Sequence, residues 1–149
     1  MFELLRSGSG TDRPEPADEY CACVFLTCFP SAFEFLATLL RHADVRLRHA
    51  ETIAEADFLL AVTGARVLLC DTVLPDGSWE DCADMLARSH RGVSLVVLAE
   101  EVDQPFVSGA VGRGACAVAW KPINPQMRHL IVAAHEAAAQ RSEKRACHP

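Results

Sequence analysis

The stretch VLLCD at residues 67–71, followed by TVLPDG at residues 72–77, decides the fold of this chain. Four consecutive apolar residues are typical of a central parallel strand that is buried on both faces. An ionised carboxylate directly after such a run is costly unless the strand ends at an open edge where the acid has a partner. Pro75, Asp76 and Gly77 then form a turn. The stretch therefore predicts a buried strand that places Asp71 at the edge of a sheet.

Segments of strand length alternate with segments of helical periodicity along the rest of the chain. The predicted strands are 21–26, 45–49, 66–71, 94–99 and 116–120, and the predicted helices are 31–41, 52–63, 79–89, 103–111 and 124–144. This alternation implies right-handed crossovers and a parallel sheet covered by helices on both faces. In such sheets chemistry gathers at the carboxyl ends of the strands, which directs attention to Thr27, Cys28, Asp71, Ala99 and Lys121.

Three helix ends carry recognisable signals. Ser31 followed by Glu34 predicts a capping box for the first helix, which we expect to bury Phe35, Leu36, Leu39 and Leu40. Gly64 is placed to stop the second helix, and Asn124 followed by Pro125 predicts the start of the last one.

Length and composition indicate one globular domain. The chain has 149 residues, of which 50% are hydrophobic and 23% charged, and its net charge is −6. This charge disfavours direct contact with nucleic acid or an anionic membrane. Neither a signal peptide nor an apolar run long enough to cross a membrane is visible, so we expect a cytoplasmic protein. We divide it into a leader (1–19), a domain (20–145) and a tail (146–149).

The spacing of the cysteines and histidines does not predict a metal site. Without an export signal, the seven cysteines are expected to be reduced. The Cys21-x-Cys23 pair lacks a second pair or a histidine at ligand spacing, so it does not complete a zinc site. The six histidines show no ligand spacing with one another, and we expect them at the surface.

Two motifs now carry a resemblance to a known family. Residues 67–77 resemble the phospho-acceptor strand and loop of bacterial response-regulator receiver domains, and Trp120-Lys121-Pro122 resembles the end of their last strand. The resemblance covers about residues 21–140. It implies a flavodoxin-like (βα)5 fold, a doubly wound five-stranded parallel sheet in the order 2-1-3-4-5. It also implies that Asp71 accepts a phosphoryl group from a histidine kinase and that Lys121 pairs with Asp71 and then with the phosphate.

The chain departs from the family pattern at three positions around Asp71. Receivers usually place two acids after the first strand to hold Mg²⁺, whereas this chain has Thr27 and Cys28. Mg²⁺ binding is therefore weakened, with Asp71 as its only strong ligand. Ala99 stands where receivers use a Ser or Thr to bind the phosphate, and it has no side-chain donor. Glu100 follows Ala99 and could approach Lys121. An Asp71–Lys121 pair could then satisfy itself without metal or phosphate.

Three functions remain open at this point. The first is a receiver domain of a two-component phosphorelay, which contacts a histidine kinase or another signalling protein through its fourth helix, fifth strand and fifth helix. A homodimer is compatible with this function, and no enzymatic activity beyond phosphoryl acceptance is expected. The second is a pseudo-receiver, which binds proteins without phosphorylation. The third, a flavodoxin-like redox protein, is disfavoured because residues 27–31 are too short and apolar for a phosphate-binding loop.

Two side chains near these motifs have alternative interpretations. Cys28 is either a redox-sensing thiol beside Asp71 or an inert buried one, and the second is favoured because reactivity requires exposure and a lowered pKa. Trp120 belongs either to a partner-binding face or to the core.

Overall fold

Five parallel strands form one sheet in the computed structural model, which describes residues 21–147 and the side chains up to Arg141. The strands are β1 (Cys21–Leu26), β2 (Val45–Ala50), β3 (Val67–Asp71), β4 (Ser94–Ala99) and β5 (Ala115–Trp120). Their order is β2-β1-β3-β4-β5, which confirms the predicted flavodoxin-like topology. The predicted leader (1–19) and the last two residues of the predicted tail lie outside the described residues.

Five helices cover the two faces of the sheet. Within residues 21–147 they are α1 (Pro30–Leu39), α2 (Ile53–Thr63), α3 (Trp79–Ser89), α4 (Gln104–Gly112) and α5 (Gln126–Cys147). Side chains of α1 and α5 pack with one face of the central strands, and side chains of α2, α3 and α4 pack with the other. Every residue of β3 is buried, as its continuous apolar sequence predicts. No helix in the described part of the chain has the length and apolar character needed to cross a membrane.

The register of the strands aligns their carboxyl ends. Leu26 of β1 lies beside Cys70 of β3, and Asp71 lies beside Leu98 of β4. Ala99 in turn lies beside Trp120 of β5. The residues that follow these positions therefore emerge along one edge of the sheet, which we call the carboxyl edge.

Helix ends follow the local sequence except at α1. Thr52 caps α2 by accepting a hydrogen bond from the Glu55 backbone, and Gly64 ends that helix in the left-handed conformation, with φ of 70°. Asn124 caps α5, since its side-chain oxygen accepts from the Gln126 backbone at 2.8 Å.

The predicted capping box at Ser31 is wrong. Pro30 is the first residue of α1, so Ser31 lies inside the helix, and the cap position is held by Phe29 without a side-chain hydrogen bond. Burial of Phe35 is also wrong, because the inward side of α1 runs through Leu36 and leaves the Phe35 side chain 51% exposed.

A short ribbon connects β3 to α3. Val73–Leu74 pairs antiparallel with Gly77–Ser78 around the predicted turn. The carboxylate of Asp76 accepts hydrogen bonds from the backbone of Ile53 at 2.9 Å and of Ala54 at 3.3 Å, which ties the ribbon to the first turn of α2. The loop after Asp71 is thereby held in place from the adjacent helix.

Candidate functional site

Asp71 lies at the carboxyl edge with both oxygens of its carboxylate engaged by the chain itself. The Thr27 hydroxyl donates a hydrogen bond to Oδ2 at 2.6 Å, and Lys121 Nζ lies 3.3 Å from Oδ1. Asp71 is only 3% exposed and Thr27 is fully buried. A carboxylate so far from water requires such partners, because burial penalises an unpaired charge. The structure thus brings three of the predicted site residues into direct contact.

The position of Thr27 is fixed by β2 and α1. Its backbone N–H donates to the Ala50 carbonyl at 2.9 Å, and its own carbonyl lies 2.9 Å from His49 Nε2. The His49 ring stacks on Phe33 of α1, with ring centroids 4.7 Å apart. The Thr27 hydroxyl also accepts a hydrogen bond from the Phe29 backbone at 3.2 Å, which helps to orient it towards Asp71.

Sequence reasoning missed the supporting role of His49. A signal was present in β2, where Val45, Leu47 and His49 alternate with the exposed Arg46 and Arg48 and therefore share the inward face.

Lys121 is shared between two carboxylates. Besides its contact with Asp71, its Nζ lies 3.9 Å from Oε2 of Glu100. The Lys121 side chain is 28% exposed, whereas that of Glu100 is 79% exposed. The Lys121 backbone N–H donates to the Ala99 carbonyl at 2.9 Å, which fixes the start of the side chain at the end of β5. The ammonium group therefore faces a buried acid on one side and a solvated acid on the other.

A cavity of about 540 Å³ opens beside these residues. We call it the Asp71 cavity, and it is lined by Cys28, Phe29, Asp71, Thr72, Val73, Ala99, Glu100, Glu101, Phe106 and Lys121. Ala99 is buried and contributes no polar side-chain atom, and Cys28 is half-buried. The cavity thus contains the predicted site positions apart from Thr27, which lies behind Asp71.

The residues around Asp71 do not fit a bound Mg²⁺ ion. Mg²⁺ demands oxygen ligands in near-octahedral geometry, and a thiol such as Cys28 is a poor substitute. The Thr27 hydroxyl directs its proton at Asp71 and so competes with a cation for the same oxygen. Among residues 21–141, no group of three or more His, Cys, Asp or Glu side chains is arranged to hold a metal ion.

The described cysteines are all free, and most are buried away from the cavity. Burial raises the pKa of Cys21 to about 11, with a smaller contribution from the nearby charge of Glu136. Burial also raises the pKa of Cys23. A hydrogen bond with Cys82 raises the pKa of Cys70, and burial adds to the effect. These thiols are therefore held in their unreactive, protonated form.

The prediction that all six histidines lie at the surface is wrong for at least two of them. His135 of α5 is only 7% exposed, because it follows the buried Ile131 by four residues and so lies on the same inward side of the helix. His90 is largely buried, and its Nε2 lies 2.6 Å from Asp57 of α2.

The two tryptophans have opposite environments. Trp79 is buried and meets Phe106 edge-on, with ring centroids 5.8 Å apart. Trp120 is 62% exposed on the edge strand β5, so it does not belong to the core.

Comparisons with known proteins agree on the fold. No family model and no curated protein sequence matches the chain significantly. Among solved structures, a signal receiver domain from Vibrio parahaemolyticus matches with a TM-score of 0.74 and 19% identity, over 83% of this chain and 95% of that one. The beryllofluoride-activated NtrC4 receiver domain dimer matches with a TM-score of 0.71 and 19% identity, over 78% of this chain and 98% of that one.

A third solved structure with a similar fold is a CheY-like response regulator receiver domain protein from Methanospirillum hungatei. It matches with a TM-score of 0.68 and 16% identity, over 84% of this chain and 98% of that one. The described part of the chain therefore has the fold of response-regulator receiver domains.

Proposed function

We propose that this chain is a receiver-type signalling domain that works by binding proteins and does not depend on phosphorylation of Asp71. The observation that carries the proposal is the engagement of both Asp71 oxygens, by Thr27 at 2.6 Å and by Lys121 at 3.3 Å. A carboxylate that is already paired and hydrogen-bonded has no need of a metal or a phosphoryl group for its stabilisation.

The surroundings of Asp71 support this proposal electrostatically. Phosphoryl transfer relies on metal ions and cationic groups to neutralise the charge that develops on the transferred group. Here Thr27 and Cys28 supply no carboxylate for Mg²⁺, and Ala99 supplies no hydrogen bond for a phosphate oxygen. Lys121, whose ammonium group is the one found among the described residues that line the cavity, is shared with Glu100. An incoming phosphoryl group would also compete with the Thr27 hydroxyl and the Lys121 ammonium for the electron pairs of the Asp71 oxygens.

One observation favours a second candidate, the phospho-accepting receiver of a two-component system. Asp71 lines an open cavity with Lys121 beside it, so a phosphodonor could enter without unfolding the domain. In that function Asp71 receives the phosphoryl group from a histidine kinase, and Lys121 then contacts the phosphate.

Under both candidates we expect the partner to be a protein. The net charge of −6 disfavours nucleic acid and anionic membranes. The face formed by α4, β5 and α5 is the expected contact surface, where Trp120 is exposed, and a second copy of the chain is among the partners it could accept. We expect this activity in the cytoplasm.

Incubation with acetyl phosphate and Mg²⁺, followed by intact-mass measurement, tests the proposal. We expect no phosphoryl adduct on the natural chain. Thr27→Asp/Cys28→Asp restores the acidic pair and is expected to gain one adduct, which Asp71→Asn in the same background should abolish. An adduct on the natural chain that disappears in Asp71→Asn would establish the second candidate instead.

A further inference from the structure

The Asp71 cavity carries an excess of negative charge. Among the described residues that line it, three carry a carboxylate (Asp71, Glu100 and Glu101) and one carries an ammonium group (Lys121). Lys121 is already placed between Asp71 at 3.3 Å and Glu100 at 3.9 Å. Glu100 and Glu101 are both exposed, so their charge is available at the cavity mouth. An entering anion would be repelled, whereas an entering cation would be attracted.

The same cavity has an apolar rim. Phe29 is 55% exposed and Val73 is 73% exposed, and both line the cavity together with the half-buried Phe106. Exposed apolar side chains that border a concave site commonly mark a place where another molecule binds. Such side chains can contact the hydrocarbon stem of a long basic residue, and an aromatic ring such as that of Phe29 also attracts a cationic group.

The negative charge and the apolar rim of the Asp71 cavity together favour one kind of bound group. We propose that the Asp71 cavity binds an arginine or lysine side chain of a partner protein, with apolar residues on either side of it in the partner sequence. The basic group contacts Glu100 and Glu101, and the apolar neighbours contact Phe29 and Val73. The inference rests on the proposed function, in which this edge of the sheet binds protein and does not accept phosphate.

Two acetylated tripeptide amides, Leu-Arg-Leu and Leu-Glu-Leu, test the inference by NMR titration of the full chain. We expect Leu-Arg-Leu to shift the backbone signals of the cavity residues in a saturable way, and more strongly at low salt. Leu-Glu-Leu should leave them unchanged. Equal binding of the two peptides, or binding of neither, would overturn the inference.

Matched substitutions separate a specific site from general attraction to an acidic protein. Glu100→Gln/Glu101→Gln should weaken Leu-Arg-Leu binding roughly fivefold, since each exposed ion pair contributes modestly. Phe29→Ser should also weaken it. Glu136→Gln removes one negative charge from α5, outside the cavity, and should leave binding unchanged. An equal loss in Glu136→Gln would overturn the inference.

The outcome is distinguishable from failure of the proposed function. A chain that takes a phosphoryl adduct on Asp71 and still prefers Leu-Arg-Leu would overturn only the proposed function. A chain without an adduct that binds both peptides equally would overturn only the basic-residue site.

Discussion

Thr27 determines how Asp71 tolerates its burial. Its hydroxyl donates to Asp71 at 2.6 Å and accepts from the Phe29 backbone at 3.2 Å, so both its donor and an acceptor site are used. A hydrogen bond from a neutral hydroxyl to a carboxylate is short and about twice as strong as one between neutral groups. A second carboxylate at this position would instead repel Asp71, and a cation would be needed to offset the repulsion.

Replacement of Thr27 tests the strength of that bond. We expect Thr27→Val to lower the free energy of unfolding by about 2 kcal/mol, because it leaves a buried carboxylate oxygen without its donor. Thr27→Ser keeps the hydroxyl and should cost about 1 kcal/mol for the lost methyl group. Urea unfolding measures both changes.

Thr38→Val is the matched control for this substitution. The Thr38 hydroxyl bonds to the Glu34 carbonyl at 2.9 Å on the exposed side of α1. Its loss should change stability by no more than about 0.5 kcal/mol. If Thr27→Val and Thr38→Val have equal effects, the bond to Asp71 does not stabilise the fold.

At the scale of the element, β1 carries two buried thiols whose ionisation depends on folding. Cys21 and Cys23 both point into the cluster formed with α1 and α5. The pKa of Cys21 is raised from 9.0 to about 11, and the pKa of Cys23 is raised as well. Above pH 9 the thiols ionise in the unfolded chain before they do so in the folded chain. The unfolded state is then favoured, so stability falls as the pH rises.

Cys23→Ala tests this alkaline effect. We expect the natural chain to lose roughly 1.4 kcal/mol more stability than Cys23→Ala between about pH 8 and about pH 10, since one buried thiol no longer resists ionisation in the variant. The variant should be less stable at neutral pH because it leaves a small cavity. Urea unfolding at several pH values gives both quantities.

Cys116→Ala serves as the control, because Cys116 is exposed on β5. Its pH dependence should match that of the natural chain. A slope in Cys23→Ala that is equal to the natural one would contradict the assignment of the alkaline loss to burial of the Cys23 thiol.

The elements also show how far the sequence predicts this structure. The uninterrupted apolar run of β3 and the alternation in β2 placed the strands almost to the residue, because burial of one or both faces leaves a direct mark on the sequence. The capping box at Ser31 failed because Pro30 already satisfies the first helical position, which is a stronger local constraint. The ribbon at 73–78 was predicted only as a turn, since its anchorage depends on Asp76 reaching α2.

The sequence likewise predicts one part of the candidate site and not another. Proximity of Asp71 and Lys121 follows from strand order, because both residues lie at the carboxyl ends of strands in one parallel sheet. The hydrogen bond from Thr27 does not follow from strand order, since it depends on the rotamer of a buried side chain. The contact of His49 with the Thr27 carbonyl depends on how β2 and α1 pack together.

In the molecule as a whole, a ligand that binds at the carboxyl edge would stabilise the folded state. A ligand that binds only the folded chain stabilises it by RT ln(1 + [L]/Kd). For Mg²⁺ this coupling requires several hard oxygen ligands around one point. The edge offers Asp71, whose two oxygens are already engaged by Thr27 and Lys121, so Mg²⁺ has little to gain there.

Thermal unfolding with and without Mg²⁺ measures this coupling directly. We expect no change in Tm of the natural chain between Mg²⁺ and NaCl at equal ionic strength. Thr27→Asp/Cys28→Asp should be less stable than the natural chain without Mg²⁺, because its added carboxylates repel Asp71. With Mg²⁺ at about ten times its Kd the variant should recover about 1.4 kcal/mol. A rise in Tm of the natural chain that Asp71→Asn removes would instead show that Asp71 holds the metal without the acidic pair.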